Sequence, residues 1–236
     1  MTESTRTFRT PRTTRVARRA LLALTTLALA GSAACSGSEG TKTVALTGAG
    51  ATFPYPVYSK WFDAFYKATG NQVNYQSLGS GAGVKQFTEG TVDFGATDGP
   101  MTDAEIAAVA GGVHHIPTVI GADVVTWNLP SLGRTQLKFD AAALADIFLG
   151  KIKKWDDPRL VALNPGIALP DRDLLVVHRS DGSGTTYIWT DYLSTVSEEW
   201  NTKVGRGKSV NWPTGLGGKG NEGVTQQVKQ VEGTIG

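Results

Sequence analysis

The sequence of 236 residues has a single cysteine, Cys35, so an intramolecular disulfide is impossible. It has no apolar run long enough for a membrane helix, because the stretch ALLALTTLALA at residues 20–30 is too short to cross a bilayer. The phosphate-loop motif GxxxxGK[ST] is also missing. The stretch GLGGKGNEG at 215–223 has a lysine without a following Ser or Thr, and no strand is predicted before it. Nucleotide binding of the phosphate-loop type is therefore not predicted.

The N-terminus has the layout of an export signal. A basic region precedes the apolar run, and the small residues GSAAC follow it up to Cys35. We therefore predict a signal peptide over residues 1–34. Cys35 lies where a bacterial lipobox places its lipidated cysteine, although Ser32 stands where leucine is usual. Lipidation at Cys35 is the favoured prediction, and ordinary cleavage near Ala33–Ala34 is the alternative.

The charge of the remaining chain is slightly negative. Residues 35–236 contain 17 basic and 20 acidic residues, a net charge near −3, because six arginines and one glutamate belong to the signal. The basic isoelectric point thus comes from the signal and does not indicate nucleic-acid binding. Residues 35–43 are predicted to form a flexible tether.

Short apolar runs alternate with helical patterns after the tether. This alternation predicts an α/β protein with mainly parallel central sheets. The aromatic side chains at Trp61, Phe62 and Phe65 are predicted to lie in the core. The predicted strands are 43–47, 72–77, 92–96 and 174–178, and the predicted helices include 56–69, 83–90, 102–110, 141–150 and 221–232.

Glycine-rich loops recur between predicted strands and helices. The loops LTGAGATFPYP, SLGSGAG and RSDGSGTT each end a strand and begin a helix, and they supply the hydroxyls of Thr52, Ser80, Ser183 and Thr185. The N-terminus of a helix offers free N–H donors and a partial positive charge to an anion. Such loops meet at the carboxyl ends of parallel strands. One loop alone is ordinary capping, but three together predict an oxyanion site.

Two charged residues sharpen that prediction. Arg179 lies in the third loop, and Asp98 follows the strand VDFGA. An ionised carboxylate only accepts hydrogen bonds, so beside an anion it requires a ligand that still carries a proton. Phosphate near neutral pH has such a proton, and sulfate does not. The alternative is that Asp98 only caps a turn or a helix.

These stretches resemble one family, the phosphate-binding proteins (PstS) of the bacterial high-affinity phosphate ABC importer. The resemblance extends over residues 44–236 and includes GAGATFPYP, SLGSGAG, DFGATDGPMTD, DIFLGKIKKWDDP, RSDGSGTT and WPTGLGGKGNEGV. It implies a two-lobed periplasmic-binding-protein fold, with lobe 1 at 44–118 and lobe 2 at 119–236. Family members continue past the final GTIG, so we expect lobe 1 to lack part of its sheet and lobe 2 to lack its closing elements.

The resemblance also implies a set of site residues. Asp98 would accept the ligand proton, Phe53 would bind through its backbone N–H, and Asp181 would hold Arg179 in place. It implies no catalysis, cofactor or metal. The phosphate ligands would be Thr52, Phe53, Ser80, Asp98, Arg179, Ser183, Gly184 and Thr185.

The implied function is binding of inorganic phosphate outside the cytoplasm and delivery to the permease subunits of an ABC importer. The protein would be an exported monomer, either lipid-anchored on the outer face of the membrane or periplasmic. The alternatives are a secreted phosphoester hydrolase and a surface lipoprotein without a ligand. DGSGT is not the GxSxG of serine hydrolases, and the adjacent His114 and His115 have no third metal ligand at useful spacing.

Overall fold

The computed structural model describes residues 43–236, so the predicted signal, Cys35 and residues 35–42 of the predicted tether lie outside the described part. Within it, two three-stranded parallel sheets are formed one after the other along the chain. This confirms the predicted α/β class with parallel sheets. The division into lobes at residues 118 and 119 stays a prediction, because Thr43–Gly236 forms one compact unit.

The first sheet has the strand order β2-β1-β3. β1 lies in the middle and pairs in parallel with both neighbours, with Gly48 opposite Tyr75 on one side and Phe94 on the other. Its elements are β1 (Ala45–Gly50), α1 (Tyr55–Thr69), β2 (Gln72–Ser77), α2 (Ser80–Thr88), β3 (Phe94–Ala96) and α3 (Asp103–Ala107). Each strand of this sheet is followed along the chain by a helix, so the connecting loops lie at the carboxyl ends of the strands.

The second sheet has the order β5-β4-β6, again all parallel. The described chain reaches it through residues 113–126, which form no helix or strand, and a 3₁₀ turn at Pro130–Leu132. Its elements are α4 (Ala141–Phe148), α5 (Pro158–Leu163), β4 (Leu175–Arg179), α6 (Gly184–Val196), α7 (Glu198–Lys203), β5 (Leu216–Gly218), α8 (Gly220–Gln230) and β6 (Thr234–Ile235).

Several predicted boundaries match the structure. The helix that begins at Asp103 has the predicted capping box, with the Glu105 N–H donating to Thr102 Oγ1 at 3.2 Å. Asp140 caps α4 by accepting the Ala143 N–H at 2.7 Å. The prediction that no strand precedes the lysine of GLGGKGNEG was wrong, since β5 lies within this stretch and leads into α8. β5 has only three residues, too few to show an alternation of apolar and polar side chains. It is formed because it pairs with β4.

The two sheets differ in their cores. The second has a large one, which includes the fully buried Trp155 and Trp200. The first has a small cluster around Ala51, Tyr58 and Ala96. Placing the aromatic residues of α1 in the core was partly wrong. Phe62 packs against the small cluster, but Trp61 is 49% exposed and Phe65 is also exposed, because α1 buries only Tyr58 fully.

No helix among residues 43–236 is long and apolar enough to cross a membrane.

Candidate functional site

The first loop of the site joins β1 to α1 and carries Thr52 and Phe53. The buried end of β1 fixes its start, because the Ala51 N–H donates to the Ala96 carbonyl of β3 at 2.9 Å. Thr52 is buried, and its hydroxyl oxygen accepts the Asn221 N–H at 3.3 Å. Asn221 belongs to α8 beside the second sheet, so Thr52 already connects the two sheets.

The second loop brings Ser80 to the N-terminus of α2. Ser80 is fully buried, and its Oγ accepts the Asp98 N–H at 3.3 Å. Gly79 before it has φ 97°, and a Cβ there would collide with the Asp181 carboxylate. The Gly81 N–H donates to the Gly182 carbonyl at 2.8 Å. Glycine therefore lets the loops of the two sheets touch backbone to backbone.

Asp98 lies just past β3, facing the N-terminus of α6. A Cβ on Gly184 would collide with the Asp98 side chain, so the carboxylate and the first turn of this helix are in contact. Burial raises the pKa of Asp98, and the neighbouring Arg179 and the N–H and hydroxyl of Thr185 oppose that rise. A carboxylate with a raised pKa is more basic, and so its ionised form accepts a hydrogen bond more strongly.

Arg179 ends β4 and is held by two partners. Its Nε donates to Asp181 Oδ1 at 2.8 Å, its Nη2 donates to Asp181 Oδ2, and its Nη1 donates to Asn221 Oδ1 at 2.6 Å. The side chain is only 5% exposed. Burial acts to raise the pKa of Asp181. Hydrogen bonds from Arg179 and from the Gly220 N–H nevertheless keep this pKa below its usual value. Among the described residues, two of the five guanidinium N–H groups have no hydrogen-bond acceptor and can bind a ligand oxygen.

The third loop begins α6 with Ser183, Gly184 and Thr185. Ser183 is fully buried and caps the helix, because its Oγ accepts the Thr186 N–H at 3.1 Å. The hydroxyl proton of Ser183 stays free to donate, and the N–H groups of Gly184 and Thr185 lie in the first turn, where no helix carbonyl can accept them. The Thr185 hydroxyl contacts Asn221 Oδ1 at 3.2 Å.

All the predicted ligand residues thus come from loops at adjoining ends of the two sheets. Direct contacts link Thr52 to the second sheet through Asn221, and Ser80 and Asp98 to the first turn of α6. The apolar side chain of Phe53 packs against Gly121, so the backbone N–H of Phe53 is the group able to donate to an anion. Whether these residues bind a ligand stays a prediction.

Sequence reasoning missed Asn221. Its side-chain oxygen accepts from both Arg179 and Thr185, while its N–H donates to Thr52. The signal was present in the stretch GLGGKGNEG, where Asn221 follows a glycine at the start of a helix. It was overlooked because no strand was predicted before that helix.

Asp123 was missed as well. It lines a cavity of about 1100 Å³ that also has Asp98, Arg179 and Thr185 on its wall, whereas Thr52, Ser80 and Ser183 do not line it. Asp123 is nevertheless exposed to solvent. Partial loss of hydration by burial, together with the nearby Asp98 carboxylate, raises the pKa of Asp123 to about 6, against the pull of Arg179. Nothing in the sequence around Asp123 indicates that it approaches the site.

His114 and His115 are exposed, and the His115 Nε2 accepts the Met101 N–H at 3.2 Å. Within residues 43–236, no group of three or more His, Cys, Asp and Glu side chains is arranged to hold a metal ion. The site has the donors for an anion and a carboxylate acceptor beside them.

Comparison with known proteins identifies the fold. A family model described as a PBP superfamily domain matches residues 36–236. The chain belongs to the PBP superfamily. This PBP superfamily chain is similar to a solved high-affinity periplasmic phosphate-binding protein, PfluDING, bound with phosphate. The TM-score is 0.58 at 20% identity, covering 81% of this chain and 55% of that one, which supports the shared fold alone.

Curated proteins of similar sequence include phosphate-binding protein PstS of Pasteurella multocida. It is 56% identical to this PBP superfamily chain over 196 residues, which are 83% of this chain and 56% of the relative. Phosphate-binding protein PstS of Haemophilus influenzae is 54% identical over 191 residues, 81% of this chain and 57% of the relative. The chain therefore spans about half the length of the curated relatives it matches. The predicted resemblance to this family is confirmed over that part.

Proposed function

We propose that this chain binds inorganic phosphate between the loops of its two sheets, outside the cytoplasm, and delivers it to the permease of an ABC importer. One observation carries the proposal: a set of anion donors built around Arg179 has a carboxylate acceptor, Asp98, lying against it. The similarity to proteins named phosphate-binding protein PstS supports the same ligand.

The binding energy would come mainly from hydrogen bonds. The carboxylate of Asp181 compensates most of the charge of Arg179, so the guanidinium would act chiefly as a rigid, planar group of hydrogen-bond donors. Neutral donors would be added by the hydroxyls of Thr52, Ser80 and Ser183 and by the N–H groups of Phe53 and Gly184. The Thr185 hydroxyl, which donates to Asn221 Oδ1 in the structure, would have to turn toward the ligand to join them. Their preorganisation lowers the entropy cost of enclosing a small, strongly hydrated ligand.

Selectivity would come from Asp98. A phosphate oxygen that carries hydrogen can donate to this carboxylate, so one more hydrogen bond forms and no like charges meet. Sulfate at the same pH has no such hydrogen, so one of its oxygens would face the Asp98 carboxylate and both groups could only accept a hydrogen bond. The site would therefore reject sulfate because the carboxylate repels it, and not because the cavity is too small.

We also propose the wider setting that the sequence predicts. Residues 44–118 and 119–236 would act as two lobes that close over the ligand, and the protein would act as a monomer without cofactor, metal or catalysis. The export signal would end at residue 34, and a lipid on Cys35 would anchor the protein to the outer face of the membrane.

Titration calorimetry of the full chain, purified in detergent, tests the proposal. We expect saturable, one-site binding of phosphate and no heat of binding with sulfate at the same pH. Incubation with an aryl phosphate ester should release no phosphate. Steady turnover of the ester would favour a hydrolase, and no binding of either anion would contradict the proposed function.

Cys35→Ala tests the anchor separately. If Cys35 carries the lipid, the variant should leave the membrane fraction and appear in the soluble exported fraction, because the residue that carries the anchor is lost. Ser36→Ala, which leaves the cysteine in place, is the matched control. A Cys35→Ala protein that stays in the membrane fraction would contradict lipidation.

A further inference from the structure

An ion pair between Lys208 and Glu105 connects the two sheets. Lys208 Nζ lies 2.9 Å from Glu105 Oε1 and 3.1 Å from Oε2. Among the ion pairs of residues 43–236, it is the only one that joins a residue of the first sheet's half, before 119, to one of the second's. Its side chains are 15% and 32% exposed, whereas the Lys203–Glu199 pair has 65% and 35%.

The Glu105 end is fixed by the capping box of α3. Glu105 Oε2 also accepts the Thr102 N–H at 2.7 Å, so the carboxylate is oriented whether or not Lys208 is present. Partial burial acts to raise the pKa of Glu105. Hydrogen bonds from Lys208 and Thr102 nevertheless keep this pKa below its usual value. This capping box begins four residues after Asp98, and so the pair holds the segment that follows the proposed proton acceptor.

The Lys208 end is fixed to the other part of the site. Its carbonyl accepts the Ser183 N–H at 2.8 Å, and the neighbouring Gly207 N–H donates to Thr190 Oγ1 at 3.1 Å on α6. The backbone of Lys208 thus supports a proposed ligand residue of the second sheet, while its side chain contacts the first sheet's half. Sequence motifs gave no sign of this connection, which spans 103 positions of the chain.

We propose that Lys208 and Glu105 form a latch that holds the two sheets closed over the anion site, with both acting as positioning residues. The consequence for phosphate rests on the proposed function: breaking the latch should speed phosphate release more than it slows capture. Partly buried, well-oriented charges of this kind act mainly on dissociation, because they must separate when the complex opens.

Two backbone amides report closure directly, because their hydrogen bonds cross from one sheet to the other. These are the Gly81 N–H, which donates to Gly182, and the Asn221 N–H, which donates to Thr52. The Ala51 and Ser180 amides, bonded within the first and second sheets respectively, are internal controls. Amide hydrogen exchange separates local opening from general loss of stability.

The experiment measures amide exchange by NMR in the full chain in detergent, with and without phosphate. In Lys208→Met we expect Gly81 and Asn221 to exchange about tenfold faster or more, with Ala51 and Ser180 unchanged. Lys208→Arg should behave like the parent. Lys203→Met, which breaks the more exposed pair, is the matched control and should change none of the four. Glu105→Gln combined with Lys208→Met should add little to Lys208→Met alone.

Unchanged exchange at Gly81 in Lys208→Met would overturn the latch, as would equal acceleration at all four amides, which would indicate general destabilisation. A phosphate arm follows release of labelled phosphate after rapid dilution, and we expect it to be about tenfold faster in Lys208→Met. If the parent binds no phosphate, the proposed function fails, while amide exchange in the free protein still decides the latch.

Discussion

The two sheets have the same architecture but are held together differently. The second is covered by helices that bury tryptophans such as Trp155 and Trp200 in a continuous core. The first relies on a few aromatic contacts, including the edge-on packing of Tyr58 against Tyr75, and on close backbone contacts at glycines. The donors of the anion site are divided between these two regions. The proposed binding would therefore depend on a well-packed half and on a half whose own packing is slight.

The largest expected effect tests the core of the second sheet. Trp155 is fully buried, and its Nε1 donates to the Gly233 carbonyl at 2.9 Å. Trp155→Ala should lower the free energy of unfolding by about 3–5 kcal/mol, because it leaves a cavity. Trp61→Ala, at the exposed tryptophan of α1, should cost less than about 1 kcal/mol. Urea denaturation measures both, and equal losses would contradict the contrast between the two regions.

The next effect concerns the charged donor. Arg179→Ala should weaken phosphate binding by at least about 2 kcal/mol, roughly thirtyfold in the dissociation constant, because it removes the guanidinium and leaves Asp181 without its partner. Arg159→Ala removes an exposed arginine with a similar aspartate partner and should leave binding unchanged. Calorimetric titration measures both. An unchanged dissociation constant for Arg179→Ala would exclude it from the site.

A smaller effect is expected in the first sheet's half. Asp98→Asn should narrow the preference for phosphate over sulfate by about tenfold or more, because an amide can donate as well as accept. Affinity for phosphate should fall less than in Arg179→Ala. Competition of sulfate with labelled phosphate measures the preference. If the variant rejects sulfate as strongly as the parent, Asp98 does not select the ligand.

The smallest effect is a pH dependence of stability at Asp123. Its pKa is about 6 in the folded protein, above the ordinary 3.8, so the folded state holds this proton more tightly than the unfolded chain does. Stability should therefore fall as pH rises from about 4 to about 6. Asp98 and Arg179 are the charged groups that shift it, and water in the cavity limits the loss to about 1 kcal/mol or less.

Asp123→Asn should remove that loss, making the variant more stable than the parent at pH 7.5 and similar to it at pH 4. Asp63→Asn, at an exposed aspartate paired with Lys67, is the matched control. Urea denaturation at the two pH values measures the difference. A variant that is less stable than the parent at pH 7.5 would show that the charged carboxylate is favourable where it lies.

Sequence reasoning succeeded where a pattern was local. β2 occupies the predicted residues 72–77, and the caps at Thr102 and Asp140 are formed by side chains within three residues of their partners. The loops GAGATFPYP and RSDGSGTT also indicated their own helix starts, whereas the helix after SLGSGAG begins at Ser80, three residues before the predicted start. In each case the residues that decide the structure are neighbours in the chain, so their types and spacing were sufficient.

It failed where distant residues decide. β5 and β6 exist because β4 pairs with them, and the role of Asn221 depends on Thr52, 169 positions away. The exposure of Trp61 could not be predicted either. The spacing of apolar residues along α1 is the same whether or not another element covers the face on which Trp61 lies. Periodicity shows which face of a helix is apolar, but it does not show what packs there.

The pairing of Arg179 with Asp181 has a consequence for how the ligand arrives. Arg179 and Asp181 cancel each other, so the ionised Asp98 leaves the centre of the site with an excess of negative charge, and residues 35–236 also carry a slight negative excess. An approaching dianion thus meets little long-range attraction, and its encounter with the site is governed by diffusion rather than by steering. Added salt would therefore not slow the capture of phosphate, because it screens a weak repulsion and not an attraction.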